Sequence, residues 1–234
     1  MVIRSMPASA SRKIELPFPS VKLACALALC ALAARADVTV TVDHNMGAAA
    51  TTAFKFARVP SPSREDVAAP AKVDVIAGTV DRNSAPVTAL TDGRLPGNQD
   101  EPEANLFFRG DSWGGRVRID LGSVAGIAAV NSYSWHPDTR APQVYRLYAS
   151  DGTDPHFKPA PDTKADLATS GWREIAFVDT RPKAGEGGGQ YGVAITDSTG
   201  SLGRYRYLLF DFYETESDDS WGQTFYSEID VVKK

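Results

Sequence analysis

The densest gathering of groups able to recognise another molecule is the run Tyr133-Ser134-Trp135-His136-Pro137-Asp138-Thr139-Arg140. An indole can stack on the apolar C–H face of a pyranose while imidazole and guanidinium groups bond its hydroxyls. Small-molecule sites are built in this way, from an apolar surface with a few placed polar groups. Trp135, His136 and Arg140 are therefore the first candidate ligand-binding residues. The same residues admit a structural reading, in which Trp135 fills core, His136 caps a turn and Arg140 pairs with Asp138 or another acid. Phe108, within Asn105-Leu106-Phe107-Phe108, and Trp221, within Asp218-Asp219-Ser220-Trp221, are further loop aromatics that could line the same end.

The inventory for catalysis is thin. The histidines are His44, His136 and His156, and no zinc spacing, metal-protease helix or nucleophile elbow occurs. Carboxylates are plentiful, but no phrase separates a glycosidase-like pair from solvated surface acids. Asp197-Ser198-Thr199-Gly200 reads as a glycine-bounded turn. The expectation is a protein that binds and does not catalyse.

Residues 1–36 have the layout of a secretory signal: Arg4, Arg12, Lys13 and Lys22 precede an apolar run from Leu23 to Ala33, and Ala34-Arg35-Ala36 follows. That run is about 11 residues, whereas a membrane-spanning helix needs roughly 20. Cleavage after Ala36 would remove both cysteines, Cys25 and Cys30, so the mature chain could form no disulfide. An exported domain of this kind fits the bacterial envelope or exterior, periplasmic or extracellular. The whole chain carries a net charge of −4. The signal segment holds five of its 25 basic and one of its 29 acidic residues, which leaves −8 on the remainder. Nucleic acid is excluded as a partner by that charge and by the scatter of the arginines.

The elements that must position these groups are strands. Val38, Val40 and Val42 alternate with Thr39, Thr41 and Asp43. Val117, Ile119 and Leu121 alternate with Arg116, Arg118 and Asp120. That second alternation predicts a sheet solvated on one side. Further strands are expected over 53–58, 72–76, 128–135, 144–149, 172–178, 191–195, 204–212 and 225–232. Gly, Pro, Asp or Ser stands in nearly every gap. Val59-Pro60-Ser61-Pro62-Ser63 reads as an extended connector and 185–189 as a glycine-rich hairpin tip, with one short helical turn near 165–169. Many short strands without alternating helices predict an all-β antiparallel sandwich.

Taken in order, Ala89-Leu90-Thr91-Asp92-Gly93, Trp113, Arg118-Ile119-Asp120-Leu121-Gly122, Gln143-Val144-Tyr145-Arg146-Leu147-Tyr148, Ser150-Asp151-Gly152, Trp172-Arg173-Glu174-Ile175, Arg204-Tyr205-Arg206-Tyr207 and Glu228-Ile229-Asp230-Val231 resemble the discoidin family, the coagulation-factor type C or galactose-binding-like sandwich. The resemblance covers residues 72–234, with 37–71 expected as N-terminal strands and connector of the same domain. It implies an eight-stranded jelly roll that binds ligands with loops at one end, and it places Trp113 and Trp172 as core aromatics. It also implies a structural calcium ion, with Asp92 and Glu228 as side-chain ligands and carbonyls of Ala89, Arg94 and Ser227 around them, since calcium takes hard oxygen donors. Arg94-Leu95-Pro96-Gly97-Asn98 departs from the family's Asn-x-x-Thr continuation. Members of the family bind sugars, anionic lipids or proteins, and the resemblance to its sugar-binding bacterial members implies a glycan or polysaccharide as partner. The alternatives are an interaction domain docking an envelope protein and a polysaccharide-degrading enzyme, because one fold serves many functions.

Overall fold

The structure is a computed structural model that describes residues 37–110, 112–183, 187–215 and 223–234. The segment 1–36 with Cys25 and Cys30, together with Gly185, Glu186 and Trp221, lies outside the described residues. Eight strands follow one another: β1 Val38–Asn45, β2 Lys72–Gly78, β3 Gly114–His136, β4 Val144–Ser150, β5 Arg173–Asp179, β6 Gly189–Asp197, β7 Gly203–Tyr213 and β8 Tyr226–Lys233. Among the described residues the only helical segments between them are short 3-10 turns, one of them Ala168–Ser170, and every strand pairing is antiparallel. Among the described residues no helix is long and apolar enough to cross a membrane.

The 23-residue strand β3 organises the jelly roll. Its first half pairs with β2 and β7, and β4 and β5 continue that layer. Its second half pairs with β6 and β8, and β1 extends that layer from β6. The register shifts between Asp120 and Ala125, where Gly122 takes a φ of 77° that favours glycine. The sequence predicts two strands here, and the structure joins them across this irregularity.

The inward residues of both layers form one core, in which Val117, Ile119, Val130, Leu147, Phe210 and Ile229 are fully buried. Each such side chain contributes roughly 1.5–3 kcal/mol relative to its exposed state. The outer face of β3 is less solvated than its alternation predicts. Arg116 is 6% exposed, because its guanidinium pairs with Asp211 at 2.9 Å and is covered by the carbonyls of Asp162 and Ala165.

Residues 53–58 form no strand. Instead, Phe54, held at a φ of 44°, drives its ring edge-on against Trp135 at 5.7 Å and Tyr133 at 6.3 Å. A left-handed non-glycine residue costs about 1–3 kcal/mol, and burial of the ring offsets it. Asp43 anchors the start of this connector by accepting the backbone N–H groups of Arg58 and Val59. Farther on, Ser63 donates its N–H to Asp230 at 3.0 Å, and Asp66 accepts the N–H of Val231 at 2.9 Å. The connector therefore covers the outer face of β3 and β8, and it lies in one compact unit with the strands.

Candidate functional site

The structure places the three residues of the Trp135–Arg140 run in structural roles. Trp135 is 6% exposed and packs with Phe54, Val59 and Tyr133, so no indole face remains for a ligand. His136 is buried, with Nδ1 2.7 Å from an Asp138 carboxylate oxygen and its ring edge-on to Phe225. Burial lowers its pKa, against the opposing pull of Asp138. Arg140 is half-buried and its guanidinium lies 4.5 Å from the Phe107 ring centroid and 3.9 Å from that of Phe225. Its Nε donates to the Gln223 carbonyl at 3.2 Å. It clamps two loops together. Phe108 is 2% exposed and belongs to the main core, packed against Phe212 and Gly115, which corrects its assignment to a loop surface. Trp221 falls outside the described residues.

The strand ends near these loops nevertheless form a cleft of about 490 Å³. Trp113 enters it just before β3, Arg146 from β4, Phe177 from β5, Arg181 just after β5, and Tyr213 and Glu214 from the end of β7. Trp113 was expected in the core. It is only half-buried and tilts against Tyr213, with ring centroids 6.0 Å apart. Beside it the chain runs close to β7: Gly114 has a φ of 128° and a Cβ there would stand 2.1 Å from the Phe212 carbonyl oxygen. Only glycine lets the chain run this close to β7. Trp172, by contrast, is buried, with Nε1 donating to the Lys158 carbonyl at 3.0 Å.

The cleft combines apolar faces with polar groups held in ion pairs. Phe177 is 46% exposed, and the Arg146 guanidinium lies 4.6 Å from its centroid. Arg146 pairs with Glu174 at 2.7 Å, while Arg181 pairs with Asp179 and donates to the Thr215 carbonyl at 3.2 Å. Both guanidiniums are thus oriented and neutralised by neighbouring carboxylates. Such a surface offers stacking and hydrogen bonds without a strong field.

Glu228 and Asp92 lie at the other constellation named from the sequence. Glu228 is fully buried, with Oε2 accepting the Gly93 N–H at 2.8 Å and Oε1 buried without a hydrogen-bond partner. Burial pushes its pKa up to about 9, with Asp230 adding to the shift. Asp92 is exposed and accepts the N–H of Arg94 at 2.8 Å, closing its own turn. Ser227 falls where the β3–β8 register slips, its hydroxyl bonded to Asn105 at 2.7 Å, and Ala89 and Arg94 line a small cavity with Asp92. Among the described residues no three His, Cys, Asp or Glu side chains group to hold a metal ion. Any cation here would draw on backbone carbonyls. The free buried oxygen of Glu228 suits such an ion, because an unpaired buried polar atom is costly.

No protein-family model and no curated protein matches the chain. Solved structures do. The chain is similar to CpGH89CBM32-6, produced by Clostridium perfringens, at 18% identity and a TM-score of 0.42, over 73% of this chain and 100% of that one. A Streptococcus pneumoniae fucose binding module matches at 16% identity and a TM-score of 0.45, over 72% and 95% of the two chains. The lectin domain of lectinolysin, complexed with Lewis B antigen, matches at 13% identity and a TM-score of 0.46, over 73% and 97%.

The cleft residues escaped the sequence reading for a physical reason. Trp113, Arg146, Phe177 and Tyr213 belong to four separate segments and meet only through the order β3-β7-β4-β5. One local signal was available: Phe177 lies between Ala176 and Val178, whose side chains are buried, so alternation puts its ring on the outer face.

Proposed function

We propose that this chain is an exported, non-catalytic carbohydrate-binding module that takes its ligand in the cleft of Trp113, Phe177 and Tyr213. The observation that carries this reading is the pairing of the exposed Phe177 ring and the half-buried Trp113 and Tyr213 rings with two carboxylate-neutralised arginines in one concavity. Aromatic rings accept the C–H face of a pyranose, and oriented guanidinium, carboxylate and backbone groups satisfy its hydroxyls. The neutralised arginines favour an uncharged sugar over a polyanion. An array of immobilised glycans tests the reading. Binding that disappears in Trp113→Ala supports it, whereas no bound glycan, or binding indifferent to Trp113→Ala and Tyr213→Ala, sinks it.

The same proposal includes a structural calcium ion held by Glu228 and Asp92, with carbonyls of Ala89, Arg94 and Ser227 completing the shell. Its support is the buried free oxygen of Glu228 beside the register slip at Ser227. The ion would supply charge compensation and tie the Asp92 turn to β8. A melting midpoint that rises with added calcium and falls with chelator supports it, because a ligand bound only to the folded state stabilises by mass action. An unchanged midpoint together with no calcium in elemental analysis removes it.

A further inference from the structure

A second cavity, of about 370 Å³, adjoins the first on the outer face of the same layer. Arg116, Tyr148, Asp166, Glu174, Asp211 and Tyr213 line it. Tyr213 is common to both cavities, and the Arg146–Glu174 pair joins a side chain of the first to one of the second. The offset follows from strand register. Arg146 faces Phe177 across β4 and β5, and Tyr148 faces Glu174. Arg146 and Tyr148 lie two residues apart on one face, as do Asp211 and Tyr213, a step of about 7 Å, on the scale of one sugar residue.

The floor of the second cavity is already oriented. Asp211 receives Arg116 Nε at 2.9 Å and the Tyr213 hydroxyl at 2.9 Å, so its oxygens have fixed positions. The ridge between the cavities is weakly held by comparison. Arg146 and Glu174 side chains are 37% and 43% exposed, and an exposed ion pair contributes little to stability. A ligand that supplies hydroxyls can therefore bridge both partners without separating them.

From this continuity we infer that the two cavities are adjacent subsites of one groove, and that the protein selects an uncharged oligosaccharide of at least two residues. One sugar lies at Trp113 and Phe177, and the next lies over Tyr148 and Asp211. The inference rests on the carbohydrate reading of the first cleft.

Calorimetric titration with matched mono-, di-, tri- and tetrasaccharides from the galacto-, manno-, cello- and xylo-oligosaccharide series tests it. The disaccharide of the bound series should bind at least tenfold more tightly than its monosaccharide. That ratio should collapse toward one in Tyr148→Ala and fall in Asp166→Asn, the latter an exposed substitution; both residues line the second cavity and not the first. A ratio near one in the unaltered protein, with binding still lost in Trp113→Ala, overturns the second subsite and leaves the first cleft standing. If no member of any series binds, the carbohydrate reading fails and the second subsite falls with it.

Discussion

Trp113 and Tyr213 stand with ring centroids 6.0 Å apart and planes inclined at 59°, joined by a hydrogen bond from the Glu214 N–H to the Trp113 carbonyl at 3.0 Å. The contact bridges the entry to β3 and the exit of β7. It gives the cleft two aromatic walls whose separation is set by backbone rather than by flexible side chains, so the binding geometry is largely formed in advance.

Gly114 should therefore control binding without touching a ligand. Gly114→Ala forces a Cβ toward the Phe212 carbonyl and strains a φ of 128°. The expected outcome is a loss of a few kcal/mol in stability and weakened glycan binding. Denaturant melts and titration check both, and a variant with native stability and affinity contradicts the backbone argument.

Trp135 should behave in the opposite way. Removing its indole from beneath Phe54 opens a cavity, and Trp135→Ala should cost about 3–5 kcal/mol of stability. At a temperature where the variant remains folded, glycan affinity should be close to native. A large affinity loss in the folded variant would return Trp135 to the binding site.

Arg140→Ala removes the cation that lies against the stacked Phe107 and Phe225 rings. Two cation–π contacts of this kind contribute about 1–2 kcal/mol together. A lowered denaturation midpoint is expected, with hydrogen exchange accelerated at 105–108 and 223–225. Unchanged exchange in both loops would show that Arg140 does not hold them.

The buried acids predict an unusual pH dependence. Burial, reinforced by Asp230, raises Glu228 to about 9. Burial, reinforced by Asp66, raises Asp230 to about 7. A carboxyl whose folded pKa exceeds its unfolded value contributes stability that is complete below the unfolded value and lost as pH rises through the folded one. In chelator, the melting temperature should fall between about pH 4.5, the ordinary glutamate value, and pH 9. Glu228→Gln should flatten that fall. Calcium should oppose it at the alkaline end, because the bound ion takes the place of the proton. A midpoint constant from pH 5 to 9 in chelator refutes the protonated state of these acids.

The sandwich was legible because alternation is local. Val117 and Ile119 announce their buried face within a few residues, and Asp120-Leu121-Gly122 marks where β3 changes partners. The candidate site was less legible. Trp135 is buried only because residues 54–60 fold over β3, and nothing around Trp135 reports that distant cover. The expected strand at 53–58 failed for the same reason: its apolar residues cap an existing sheet instead of extending one. Arg116 looked solvent-facing beside Val117, yet Asp211 and the 162–165 loop enclose it. Trp113 looked like core because its phrase matched one, whereas it stands half-buried against Tyr213, a residue a hundred positions away on β7.

Trp113, with Tyr213, is the proposed carbohydrate surface. Its most direct test is titration of the unaltered protein and Trp113→Ala with the best-bound glycan from an array. Loss of an interface aromatic at the centre of a site typically costs about 2 kcal/mol or more. The expected result is therefore at least a thirtyfold loss of affinity, with the melting temperature nearly retained. Equal affinity in the two proteins would contradict the account and place the ligand elsewhere.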